Sequence, residues 1–380
     1  MVAIAYTTIR AQSKGGLMTA TTYQPNDYDV FIGIDVDKKS FAFTAQDHNI
    51  MSRSKKIPSN PEQLYNYIRN NFDNRRVLCA YEAGPTGYGL YDYLVQREQP
   101  CVMVSPAAIP KASNERVKNN RLDSERIARY LKSGELQPIR VPSEPYRQLR
   151  QLISMRENYS SQSTVAKQRI KSLLLFEHID DSPIDIVQHW SRAYINYIKT
   201  LPCSDIIRRK LDMLLEDLDY AREHILKVLE ELKALCVAYP DINSYRCYLQ
   251  SIPGIGFVVA LTILARIGDP QHLTNVREIG AFTGLVPRER STGDTVRYGS
   301  ITHIGNNKLR RLLVEASWIT IRHDAELAQF YYRIKSRHHP QAAPKKAIIA
   351  VARKLTQRIY KVLKERRMYE IRQSRETLSS

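Results

Sequence analysis

Three carboxylates stand where segments of this chain change direction. Asp35 ends the apolar run Val30-Phe-Ile-Gly-Ile34, and Glu82 ends a second one, Val77-Leu-Cys-Ala-Tyr81, before the turn Ala83-Gly84-Pro85. Asp123 lies at the start of a helical pattern in Lys118-Asn-Asn-Arg-Leu-Asp123-Ser-Glu-Arg. If the two runs are adjacent strands, their carboxylates project together at the edge of a cleft, and a helix looking back at the strand ends adds the third. Such a set can hold paired Mg2+ ions, which polarise a phosphoryl oxygen and neutralise the leaving oxygen of a phosphodiester. One acidic residue at a strand end is ordinarily a turn-former or a surface charge. Three in this order are less easily explained that way.

A second constellation lies far along the chain, in Gly284-Leu-Val-Pro-Arg288-Glu-Arg290-Ser291-Thr292-Gly293 and on to Gly305-Asn-Asn-Lys308-Leu-Arg310-Arg311. A Ser/Thr pair next to Gly is expected on a flexible loop where the backbone can approach a phosphate. Arg288, Arg290, Arg297, Lys308, Arg310 and Arg311 are the residues expected to contact nucleic acid and neutralise its charge. Alone, Ser291-Thr292-Gly293 also reads as a simple turn. Pro253-Gly-Ile-Gly256 is either a tight turn or a helix start that offers N–H groups to a DNA phosphate. His303 and the His338-His339 pair lack ligand spacing and are expected at the surface.

The elements that must position these residues divide the chain. Residues 1–27 are polar and are expected to form a disordered extension. From Val30, β-rich runs (Val30–Ile34, Phe41–Ala45, Val77–Tyr81, Cys101–Val104) alternate with helical patterns (Glu62–Phe72, Thr86–Gln96, Asp123–Leu131), which predicts an α/β domain over 28–138. A helical linker is expected over 139–240. Within it Leu211, Leu214, Leu218, Ala221, Ile225, Val228, Leu232 and Leu235 follow the a/d heptad spacing of a coiled coil. That spacing fits an intermolecular coil and an intramolecular helical hairpin equally. A mainly helical C-terminal domain is expected over 241–370, with a tail at 371–380.

Lys and Arg number 57 against 39 Asp and Glu, a formal net charge of +18, which points to a polyanionic partner. The five cysteines are scattered and form no C-x-x-C pair, so neither zinc nor a redox dithiol is indicated. The longest apolar run, Phe257 to Ala265, is far short of the ~20 residues that span a bilayer. A reduced, cytoplasmic setting without membrane partners is expected.

Phe31-Ile-Gly-Ile-Asp35-Val-Asp-Lys-Lys, Tyr81-Glu82-Ala-Gly-Pro-Thr-Gly-Tyr, Lys118-Asn-Asn120-Arg-Leu-Asp123-Ser and the 284–311 segment together resemble a known family. It is the DEDD transposases of RNA-guided insertion sequences, the IS-one-ten family, and the likeness spans roughly residues 30–365. The resemblance implies a ribonuclease-H-like (RuvC-like) first domain, a helical or coiled-coil arm, and a mainly helical transposase domain, so an α/β plus α architecture. It makes Asp35, Glu82 and Asp123 the first, second and fourth acidic positions, with Mg2+ as cofactor. The third position holds Asn120, whose carbonyl can ligate a hard cation without contributing charge. A tolerated variant is favoured over an engineered inactive form or replacement by Asp37 or Glu115.

The resemblance also implies a serine that attacks DNA and carries it covalently. The family's register, with the acting Ser directly before Gly, selects Thr292, whereas the less hindered hydroxyl is that of Ser291. Composite sites shared between protomers of a homodimer or homotetramer are implied, as are donor and target DNA, a structured non-coding guide RNA and a prokaryotic cytoplasm. Two other readings are a metal-dependent junction resolvase or nuclease that uses water, and a non-catalytic nucleic-acid-binding protein.

Overall fold

The computed structural model describes residues 23–49, 52–109, 120–182, 190–292, 295–301, 305–337 and 339–371. The chain divides into two compact units, Met1–Val141 and Pro142–Ser380.

The first unit holds a six-stranded mixed sheet of β1 (Val30–Val36), β2 (Ser40–Asp47), β3 (Ser52–Pro58), β4 (Val77–Glu82), β5 (Cys101–Val104) and β6 (Pro138–Ile139). The strand order is β3-β2-β1-β4-β5-β6. β1, β2 and β3 form an antiparallel meander, β4 and β5 continue parallel to β1, and β6 closes the other edge antiparallel. Helices α1 (Pro61–Asn71) and α2 (Gly89–Val95) cover one face, where Leu64, Ile68, Leu90 and Leu94 pack on Ile32, Ile34, Phe43 and Tyr81. Helix α3 (Asn120–Ser133) covers the other, with Ile127 and Leu131 against Phe31, Leu78 and Ala80. Covered on both faces, β1 and β4 read as continuous apolar runs rather than alternating ones. The arrangement is consistent with the expected ribonuclease-H-like domain.

β3 is absent from the sequence reading, for a physical reason. Ser52-Arg-Ser-Lys-Lys-Ile-Pro58 is an edge strand with exposed Arg53, Lys55 and Lys56. Charge on an edge discourages pairing with other chains and erases the apolar alternation by which strands are recognised. Of the expected N-terminal extension, residues 1–22 lie outside the described residues. Tyr23, however, is buried in the α3-side core.

Gly33 fixes how α3 lies on the sheet. A Cβ there would come 2.2 Å from the Ser124 carbonyl oxygen and 2.3 Å from the Ala128 nitrogen. The helix therefore sits directly on β1, with its first turn over the strand's C-terminal half. Gly33→Ala must push backbone away rather than a flexible side chain, so it should cost about 3 kcal/mol or more, at or above the upper end for overpacking. Urea unfolding checks this, and an unchanged midpoint would contradict the close approach.

The second unit begins with α4 (Glu144–Phe176), α5 (Arg192–Thr200) and α6 (Asp205–Ala238). Leu149 and Ile153 near the start of α4 share a core with Val228, Leu232 and Leu235 near the end of α6. Ala166, Ile170 and Leu173 share another with Leu211, Leu215 and Leu218. α4 and α6 are thus an antiparallel pair within one chain. Its seam takes Leu211, Leu218, Ala221, Val228, Leu232 and Leu235 of the heptad stripe into the core, while Leu214 and Ile225 are half-buried.

There follow α7 (Pro240–Gln250), α8 (Phe257–Ile267), α9 (Val276–Thr283), β7 (Pro287–Thr292), β8 (Thr295–Ile301), α10 (Asn307–His323), α11 (Ala325–Lys335) and α12 (Ala343–Glu365). α8 is the apolar run singled out above. Ala260 to Ala265 are all buried, so it is a central core helix. Among the described residues no helix is long and apolar enough to cross a membrane. Gly254 enters α8 with φ +89°, and a Cβ there would meet the Ala316 carbonyl oxygen at 2.5 Å. Both its backbone conformation and the approach of α10 require glycine.

Candidate active site

β1 and β4 pair in parallel with Ile34 opposite Tyr81, so the next residues, Asp35 and Glu82, stand side by side where the two strands end. Ile34 and Tyr81 belong to the core under α1 and α2, whereas Gly33 and Ala80 face α3. Strand side chains alternate. Asp35 and Glu82 therefore follow Gly33 and Ala80 onto the α3 side. Asp35 is half-buried and Glu82 exposed. Asp123, in the first turn of α3, immediately precedes Ser124, the residue that lies over Gly33. Asn120 is the first residue of the same helix.

The supports of these residues are polar and buried. The Ser124 hydroxyl donates to the Arg121 carbonyl at 2.9 Å, so the Thr44 hydroxyl, also 2.9 Å away, must donate to it. With its proton so used, Thr44 accepts from Ser54 at 2.9 Å. Ser124 and Thr44 are both fully buried. This relay ties the first turn of α3 to β2 and β3. Behind Glu82, the buried Tyr81 hydroxyl donates to the Gly87 carbonyl and accepts from the Tyr91 N–H, each at 3.2 Å. Ala83 N–H donates to the Val104 carbonyl at 2.8 Å. The turn after Glu82 is thereby pinned to the sheet. Sequence reasoning missed these hydroxyls, because nothing in the local pattern around Thr44, Ser54 or Ser124 marks a side chain that bonds to a distant element.

A hard divalent cation suits this donor set in chemistry, since Asp35, Glu82 and Asp123 offer only carboxylate oxygens. Among the described residues no three Asp, Glu, His or Cys side chains come close enough to hold one as they stand. Asp123 is turned toward Arg126, 3.7 Å away on the next helical turn. Strand register sets Asp35 beside Glu82, whereas Asp123 is paired with Arg126. Asp37 is exposed in the β1–β2 turn, accepting from Lys38 N–H at 2.7 Å. Glu115 lies outside the described residues.

The hydroxyl pair is not on a loop. Ser291 and Thr292 close β7, opposite Val296 and Thr295 of β8, while Gly293 and Asp294 lie outside the described residues. β-Branched Thr292, Thr295, Val296 and Ile301 favour the hairpin over the expected helical or loop structure. Its register sets Arg290 opposite Arg297. Arg288 lies on the same strand, where Pro287 and Glu289 bracket a register irregularity.

α10 treats its basic residues differently. Arg310 donates to the Thr283 carbonyl and to Asn307 Oδ1, each at 3.0 Å, which joins α10 to α9. Lys308 Nζ meets Glu157 Oε2 at 2.6 Å, and Arg311 is exposed. His339 is exposed, as expected, and His303 and His338 lie outside the described residues.

Comparison with known proteins follows the same division. Residues 32–179 match the DEDD transposase family of IS110 elements, and residues 247–332 match the family described as Transposase IS116/IS110/IS902 family. The putative transposase y4qE of Sinorhizobium fredii (strain NBRC 101917 / NGR234) is 29% identical over 312 residues, 77% of this chain and 72% of that protein. The transposase for insertion sequence element IS1533 of Leptospira borgpetersenii is 23% identical over 76% of this chain and 84% of its own length. A pilin gene-inverting protein of Moraxella bovis is 23% identical over 90% of this chain and 98% of its own length. One family match covers the carboxylate-bearing sheet and the other the hydroxyl hairpin, and the chain belongs to the IS110 family of transposases, enzymes of DNA transposition and recombination.

Proposed function

We propose that this transposase cuts and rejoins DNA strands with Mg2+ held by Asp35, Glu82 and Asp123 and with a hydroxyl nucleophile, Ser291 or Thr292. The observation that supports it most is the register of β1 with β4, which sets Asp35 beside Glu82 on the face where α3 begins. Bound there, magnesium supplies Lewis acidity toward the phosphoryl oxygens. Asp35 and Glu82 orient that charge, and the relay through Thr44 and Ser124 holds the turn that carries Asp123. Asn120 contributes at most a neutral carbonyl.

In the second unit the hydroxyl oxygen forms a bond to phosphorus as the bridging P–O bond breaks. Its proton passes to water, and the departing DNA oxygen takes one up. One phosphodiester replaces another, so the reverse attack by a DNA hydroxyl rejoins strands without an external energy source. Arg288, Arg290 and Arg297 neutralise the phosphate during both steps. Selection of donor and target by a structured non-coding RNA, and assembly into a dimer or tetramer, complete the reading and rest on the resemblance.

Metal removal tests it. On DNA carrying the flanks of its own gene, cleavage should stop when EDTA is added and return with excess Mg2+. Undiminished cleavage in EDTA would contradict the carboxylate assignment.

A further inference from the structure

Glu157 of α4 gathers more positive charge than it can neutralise. Arg266 Nη2 lies 2.9 Å and 3.0 Å from its two carboxylate oxygens, and Lys308 Nζ lies 2.6 Å from one of them. Arg156, half-buried beside it, is a third cation within its field. Burial pushes the Glu157 carboxyl up, but the bonds from Lys308 and Arg266 outweigh this and hold it below its ordinary range. Two cations thus contact one anion, and Arg156, next to it in the chain, adds a third positive charge to its surroundings. The Nε atoms of Arg156 and Arg266 are both buried and have no hydrogen-bond partner among the described residues.

Two features are costly for a purely structural ion pair. A buried guanidinium N–H without an acceptor forfeits its desolvation energy. Lys308 also sits in the first turn of α10, which holds no acidic residue, and a cation is unfavourable at the positive end of a helix dipole. A tetrahedral dianion or a phosphodiester has more acceptor oxygens than a carboxylate and satisfies more of these donors at once.

We propose that Arg156, Arg266 and Lys308 form a phosphodiester-binding site that Glu157 fills in the free protein and yields when nucleic acid binds. The site lies within the second unit, joining α4, the end of α8 and the start of α10. It rests on the family's action on DNA and is independent of the metal and of the nucleophile. Glu157 is here a competitor for the nucleic-acid backbone, so its charge tunes affinity and suppresses indiscriminate binding.

The test measures binding of the full chain to a random-sequence DNA duplex and to a hairpin RNA at matched salt. Glu157→Gln should tighten binding roughly tenfold, because a like charge facing the phosphate is removed. Glu230→Gln, which removes the carboxylate paired with Lys233 at 2.8 Å on the surface of α6, controls for net charge and should change little. Lys308→Gln, at an exposed side chain, should weaken binding and flatten the log–log salt slope by about 0.9 on the duplex, one contact's worth. Tightening on DNA, RNA or both supports the site and assigns the source of its phosphate. Unchanged or weaker binding by Glu157→Gln with a lowered Tm would overturn it, as would an unaltered salt slope for Lys308→Gln. A wild-type chain that binds neither probe would remove the nucleic-acid reading itself.

Discussion

Asp35→Asn and Glu82→Gln should each reduce strand cleavage by a factor of roughly a thousand or more, because on the proposed reading each removes one charged ligand from a divalent cation. Both replacements are nearly isosteric, so β1 and β4 keep their pairing and the α3-side core is untouched. DNA affinity should hold or improve slightly, since each change deletes a negative charge from a strongly basic chain. The contrast between lost cleavage and retained binding separates a metal ligand from a folding residue. Normal cleavage by both variants would remove the metal site from this sheet edge. Asn120→Asp should act oppositely, lowering the Mg2+ concentration for half-maximal cleavage by adding a charge at the start of α3.

Ser291→Ala and Thr292→Ala should differ sharply. One attacking oxygen serves one phosphate, so only one of the two hydroxyls should matter. Loss of the nucleophile should cost a factor of ~100 or more in covalent DNA capture, and the neighbouring variant should stay near wild type. The lesser hindrance of a primary hydroxyl favours Ser291, and a silent Ser291→Ala would assign the role to Thr292. If both variants and the double variant cleave as before, water is the nucleophile and the chain acts as a metal-dependent nuclease.

Some of this architecture was legible from the residues and some was not. Val30–Ile34 and Val77–Tyr81 announce themselves as strands because burial on both faces leaves them wholly apolar. Their pairing partners do not, because register is a property of two segments and no single run encodes it. β3 hid behind its lysines. The β7–β8 hairpin hid behind the Ser-Thr-Gly composition, which local chemistry favours in turns, although β-branched residues on either side of 293–294 carried the opposing signal. The heptads of α6 were visible, but a/d spacing is the same whether the partner helix belongs to the same chain or another. Here α4 takes up that seam. Lys308 read as a phosphate contact from its motif alone, and no spacing in the sequence could reveal Glu157, 151 positions earlier, against it.

The most direct measurement is to trap the reaction on DNA carrying the flanks of the chain's own gene, denature it, and map any protein–DNA adduct by mass spectrometry. The account predicts one phosphodiester-linked peptide that contains residues 291–292, formed with Mg2+ and absent from the Asp35→Asn protein. Cleaved DNA with no adduct, or an adduct on a residue outside β7, would contradict it.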